Sequence, residues 1–190
     1  MKIAAAFLGL LIALPLTAYA QEPNTYRVLA TSKTSTMQKE MQEAGDAGFR
    51  FAAVMGGETA IGGKEVVVVM QKTGSKGGKF EYRLLATNKT STMQKEMQEG
   101  AEAGFQYVGQ TVFESTFGGK EVVCLLERDL SVANPPKYEY RLLSTTKTST
   151  MEKELKEAGE GAYDVLGMTV AKTMIGGSEI VTITRRKVRQ

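Results

Sequence analysis

Three four-residue blocks carry the residue types best suited to chemistry: Lys33-Thr34-Ser35-Thr36, Lys89-Thr90-Ser91-Thr92 and Lys147-Thr148-Ser149-Thr150. Each sets a cation and three hydroxyls just ahead of a segment with helical periodicity. A helix start exposes unpaired backbone amides and the positive end of the peptide dipole. Cation, hydroxyls and amides together are the ingredients of a site for an anion or small anionic ligand. A structural reading competes with this one. Ser35, Ser91 and Ser149 stand three residues ahead of Gln38, Gln94 and Glu152, the spacing of the S-x-x-E/Q capping box. A third reading is a packed contact, either between the blocks or with a protein partner.

Other reactive groups are few. The chain has no His, which removes the usual general base, the Ser-His-Asp triad and imidazole metal ligands. Its one Cys, Cys124, excludes an internal disulfide framework. Val68 and Thr182 occupy the matching positions, so Cys124 reads as a buried thiol, with intermolecular pairing left open. Glu65, Glu121 and Glu179 recur beside glycine pairs and read as solvent-facing strand starts. Nothing marks two of them as a catalytic pair with separated pKa values. The pairs Met37–Met41 and Met93–Met97 have the softness of copper(I) ligands, yet as the apolar residues of an amphipathic stripe they read as core. The glycine pairs lack the Lys-Ser/Thr of a phosphate loop, and no Trp or basic aromatic groove suggests nucleic acid. No enzyme, cofactor or metal site is expected.

The elements that must position these blocks follow from a repeat. YRVLAT, YRLLAT and YRLLST begin at Tyr26, Tyr82 and Tyr140, and each leads into a Lys-Thr-Ser-Thr-Met block. Between residues 31 and 43 the first copy matches the second at 12 of 13 positions, whereas between 50 and 61 it matches at 1 of 12. So uneven a likeness implies a constraint on the block beyond helix formation. Each copy reads as strand, helix, strand, strand. Met37, Met41, Ala44 and Ala47 form one helical stripe, and Gly48 and Gly104 suit helix C-termini. Val66–Met70 and Val122–Leu126 are apolar on both faces, which predicts that neighbouring sheets pack on one another and leave the helices outside; an exposed apolar face that recruits a partner is the competing reading.

The expectation is therefore an α+β fold of three tandem βαββ repeats with antiparallel hairpins. Repeat 1 covers residues 21–73, a linker 74–81, repeat 2 82–128, a second linker 129–137 and repeat 3 138–190. Residues 1–20 read as a signal peptide: Lys2, an apolar run from Ile3 to Leu14, Pro15, then Ala18-Tyr19-Ala20 as a small-x-small cleavage site. This predicts export to the periplasm or outside the cell, with cleavage after Ala20 and no spanning helix left. The formal net charge is +3, one unit of it from Lys2, too little to imply nucleic acid or an anionic membrane. The basic tail Arg185-Arg186-Lys187-Val188-Arg189 reads as a solvated strand end.

The stretch from Phe80 to Arg128, FEYRLLAT, MQKEMQEGAEAGFQYV and GGKEVVCLLER, resembles a family of small bacterial domains of unknown function. Its members read aromatic-Glu-Tyr-Lys-Val-Val, then a helix ending in Glu-Gly-Trp-Glu-Leu-Val, then a strand closing in Arg. Here Phe49, Phe105 and Tyr163 stand where that family commonly has Trp. The resemblance covers all three copies and implies a fold without an activity. More loosely, the βαββ order is similar to the dodecins, which implies oligomers, and to YdgH-type periplasmic proteins. The reading is a non-enzymatic, exported bacterial envelope protein with a structural or protein-binding role, its partner an envelope protein or, alternatively, a small anionic ligand held at the three blocks.

Overall fold

A computed structural model describes residues 23–59, 63–73, 78–114, 120–172 and 178–188. The leader at 1–20 and the hairpin glycines Gly62, Gly118, Gly119, Gly176 and Gly177 lie outside the described residues. Unit 1 comprises β1 (Asn24–Thr31), α1 (Thr34–Asp46), β2 (Arg50–Thr59) and β3 (Gly63–Thr73). Unit 2 comprises β4 (Phe80–Thr87), α2 (Thr90–Glu102), β5 (Gln106–Glu114) and β6 (Lys120–Asp129). Unit 3 comprises β7 (Tyr138–Thr145), α3 (Thr148–Glu160), β8 (Asp164–Lys172) and β9 (Ser178–Lys187). The chain is α+β, three βαββ units in tandem.

The last strand of each unit lies in the middle of its sheet, antiparallel to both neighbours: β1-β3-β2, β4-β6-β5 and β7-β9-β8. Its β-branched, apolar sequence suits a position covered on two faces. In β6 both faces are buried and each serves a different core. Val123 and Leu125 join Val66, Val68 and Met70 of β3 around the α1 stripe of Met37, Met41 and Ala44. Val122, Cys124 and Leu126 join Val181 and Ile183 of β9 around Met93, Met97 and Ala101 of α2. Neighbouring sheets thus pack in a stack, but the helices are not left outside as expected: each boundary holds one, because the methionine stripe supplies apolar surface to both sheets. Burying each of these methionines contributes roughly 1.5–3 kcal/mol.

Helix starts differ from the capping-box expectation. The first helical bond runs from the Met37 amide to the Lys33 carbonyl, which makes Lys33 the N-cap, two residues ahead of Ser35. Lys89 and Lys147 hold the same place, all three in extended backbone and without a side-chain cap bond. The Lys amide is taken instead by the hydroxyl of the Thr ending the preceding strand, at 3.2, 3.1 and 3.2 Å for Thr31, Thr87 and Thr145. Ser35, Ser91 and Ser149 lie exposed in the first turn.

Helix ends agree with expectation. The Phe49 amide reaches the Ala44 carbonyl and the Gly48 amide the Gly45 carbonyl, the bond pair of a Schellman motif, with Gly48 at φ 85°. Gly104 repeats it, and in unit 3 the left-handed position is filled by Ala162 at φ 60°.

Candidate functional site

The three Lys-Thr-Ser-Thr blocks are not gathered into one place. Each core cluster contains a single helix, so Lys33–Thr36, Lys89–Thr92 and Lys147–Thr150 stand at separate levels of the stack. Lys33, Lys89 and Lys147 are exposed. The middle block comes nearest to a neighbour: Lys89 and Thr90 border a crevice of about 10 Å3 shared with Leu142, Glu179 and Ile183 of unit 3, space for about one water. Among the described residues no three His, Cys, Asp or Glu side chains converge as a metal site. Glu179 is half-buried and accepts a hydrogen bond from the Ser144 hydroxyl at 2.5 Å, so it is not the purely solvated group expected.

What the repeated block builds is the joint to the next unit. Each unit's first strand is a sheet edge, whose outward N–H and C=O groups need partners. Helix side chains of the preceding unit supply them. Gln38 accepts from the Leu84 amide at 3.0 Å, and Gln42 accepts from the Tyr82 amide at 3.1 Å while donating to the Phe80 carbonyl at 3.2 Å. One unit further on, Gln94 accepts from Leu142 at 2.7 Å and donates to the Tyr140 carbonyl at 2.6 Å, and Gln98 accepts from Tyr140 at 3.2 Å. Two glutamines one turn apart therefore do the work of a neighbouring strand. Helices α1 and α2 accordingly lie along β4 and β7.

A second element of the joint is a hydroxyl seated on a bulge. Register shifts fall between Phe51 and Ala53, Tyr107 and Gly109, and Val165 and Gly167. A bulge leaves an amide outside the ladder. The Phe51 amide donates to the Tyr82 hydroxyl at 3.0 Å, and the Tyr107 amide to the Tyr140 hydroxyl at 2.8 Å. Tyr82 in turn donates to Glu127 at 3.0 Å, and Glu127, 4% exposed, also pairs with Arg50 of unit 1 at 2.8 Å. Burial, then the Glu127 charge, pushes the Tyr82 phenol far above its ordinary value. Burial does the same to Tyr107, raises the Tyr140 phenol, and raises the Cys124 thiol beyond nucleophilic use at neutral pH. A groove of about 800 Å3 opens beside this network, lined by Arg50, Phe51, Gln71, Phe80, Val108 and Glu127. The charged groups that line it, Arg50 and Glu127, are engaged with each other.

Glycine permits close approach across the joints. A Cβ on Gly109 would stand 2.7 Å from the Phe51 ring, and one on Gly167 2.5 Å from the Tyr107 hydroxyl. Away from the joints, the aromatic after each helix lies under cations: Arg27 and Lys72 flank Phe49, Arg83 and Arg128 flank Phe105, and Arg186 covers Tyr163.

The joint is made twice, and its two halves lie open at the ends of the stack. At unit 1, Tyr26 is 57% exposed, against 4% for Tyr82 and 2% for Tyr140, and Val28 and Met55 are more than half exposed on the same face. At unit 3, Val165, Met168 and Val170 are likewise more than half exposed on one face of β8. Sequence reasoning missed the glutamines and tyrosines as joint residues. A signal was present: Gln38–Gln42 and Gln94–Gln98 repeat, whereas unit 3 has Glu152 and Lys156 there, paired with each other at 3.2 Å.

Comparisons with protein-family models, curated proteins and solved structures return no match to this chain.

Proposed function

We propose that this chain is an exported, non-enzymatic protein of the bacterial envelope whose role is structural or protein-binding. The observation that carries the reading is the pair of open apolar faces, Tyr26–Val28–Met55 at one end and Val165–Met168–Val170 at the other. Contiguous exposed apolar surface favours association with another protein. Export rests on the leader pattern of residues 1–20.

The anion-binding alternative at Lys33–Thr36, Lys89–Thr92 and Lys147–Thr150 lacks a comparable support, because the blocks lie apart and each holds its own helix start. The test is photocrosslinking in living cells from position 28 or position 168, with fractionation of the products. Protein adducts in the envelope fraction, absent when the crosslinker sits at exposed Lys153, are the expected result. Failure of both positions to crosslink, or retention of the leader in the cytoplasm, would overturn the reading.

A further inference from the structure

The two open faces are the two halves of one joint. In the unit 1–unit 2 and unit 2–unit 3 joints, a tyrosine of the later unit seats its hydroxyl on a bulge amide of the earlier one, Tyr82 on Phe51 and Tyr140 on Tyr107. The matching tyrosine of unit 1 is Tyr26, and the matching bulge amide of unit 3 belongs to Val165. Among the described residues, no hydroxyl is seated on the Val165 amide and no bulge meets Tyr26. We propose that copies of this chain assemble head to tail, the open face of unit 3 seating on the open face of unit 1 of the next copy in the geometry used twice within the chain. This rests on the protein-binding reading and names its partner as a second copy.

Three further features fit that occupant. The internal joints set an aromatic ring on a glycine, Phe51 on Gly109 and Tyr107 on Gly167. At the open joint the corresponding pair is Val165 and Ala53, so side-chain volume lost on one surface returns on the other. Helix α1 carries Gly45 where an added Cβ would stand 2.6 Å from the Phe80 carbonyl and 2.9 Å from the Tyr82 ring. Gly159 repeats that glycine in α3 with nothing within 4 Å of it, whereas α2, docked along β7, has Ala101 at the place. A glycine costs about 1 kcal/mol relative to alanine inside a helix, and a strand docked as closely as β4 on α1 gives Gly159 a purpose. Finally, the exposed residues are apolar in both halves, as at the internal joints.

The Glu152–Lys156 pair departs from the glutamine pattern. The Glu152 carboxylate can still accept from the Val28 amide, but Lys156 has no acceptor for the Tyr26 amide. The intermolecular joint is therefore weaker than the internal ones, and assembly depends on concentration. A head-to-tail contact is heterologous, so it yields rings or open filaments rather than a closed two-fold dimer.

The experiment is sedimentation velocity on the chain expressed with residues 1–20 and purified as the cell processes it. Wild type is expected to grow in mass with concentration. Val28→Asp blocks the head and Met168→Asp the tail, each leaving a monomer. Mixed in equal amounts, the two variants should form a dimer and nothing larger, because one intact tail meets one intact head. Circular dichroism checks the fold, and Tyr26→Ser with Val170→Glu forms a second pair should either variant misfold. A wild type that is monomeric throughout overturns the proposal, and so does a mixture that stays monomeric. Assembly of Met168→Asp like wild type would mean head-to-head pairing and also overturns it. Crosslinks to a different protein beside a monomeric wild type overturn head-to-tail assembly while leaving the protein-binding reading in place.

Discussion

The side-chain oxygen of Gln94 lies 2.7 Å from the backbone nitrogen of Leu142, so that a helix side chain stands where the edge of β7 would otherwise meet another strand. The same glutamine donates to the Tyr140 carbonyl. Gln94→Leu keeps a good helix former and removes both bonds. Leaving those part-buried backbone groups without partners costs about 1–3 kcal/mol, read as a lower denaturation midpoint. Ser91→Ala, on the exposed turn just before, should stay within about 0.5 kcal/mol of wild type. If the serine change cost as much as the glutamine change, the capping-box reading would return.

Tyr82→Phe tests the bulge seat. The hydroxyl is shared between the Phe51 amide and the Glu127 carboxylate, so its loss strands an amide and weakens a buried carboxylate's solvation together. A loss of about 1–3 kcal/mol is expected, with faster hydrogen exchange at the Phe51 amide. Unchanged exchange there would show that the amide finds another partner and that the seat is incidental.

Stability should fall on acidification partly through Glu139. Its carboxyl is held below the ordinary value of 4.5, first by the Tyr163 hydroxyl at 2.5 Å and then by the Arg186 pair at 2.7 Å. A depressed folded-state value means the contribution is fully present above the unfolded value and is lost as pH falls through the folded one. Wild type should therefore exceed Glu139→Gln in urea resistance near pH 7, the gap closing below about pH 4.5. The pair is 41% exposed, so the gap is small. A gap that widened in acid would contradict the assignment.

Ala162 occupies the left-handed position that Gly48 and Gly104 fill in the other units. A Cβ there costs roughly 1–2 kcal/mol, offset in part by glycine's greater freedom in the unfolded chain. Ala162→Gly should raise stability by up to about 1 kcal/mol, and a lower melting temperature would refute the strain.

The βαββ order was legible because the signals were local: the Met37–Met41–Ala44 stripe, the left-handed Gly48 and the doubly apolar run of β6. The last of these also foretold the stacking of sheets, since a strand apolar on both faces needs two covers, but not that a helix fills each boundary, because the stripe alone does not say which sheets it serves. The joint was harder to read. Gln38 and Gln42 look like the solvated side of a helix, and only the placement of β4 reveals that they face an edge strand. Ser35 looked like a cap because Gln38 follows it by three, yet the helix starts earlier and that glutamine spends its hydrogen bonds on the next unit. Local spacing cannot tell a reciprocal cap from a partner 46 residues away.

The last unit's departures make the head-to-tail joint tunable. Glu152 and Lys156 pair with each other where Gln94 and Gln98 bond to the following strand. Restoring glutamine at both, Glu152→Gln with Lys156→Gln, gives α3 two side chains that each donate and accept. It also removes an exposed ion pair worth little on its own. One added acceptor for the Tyr26 amide and one added donor for the edge carbonyls amount to about 1–2 kcal/mol at the junction. The concentration for half-assembly should fall about tenfold. The stability of the isolated chain should stay within about 0.5 kcal/mol. Were the double variant to assemble less readily than wild type, α3 would not lie along β1 of the next copy. The glutamine ladder would then be confined to the two joints within the chain.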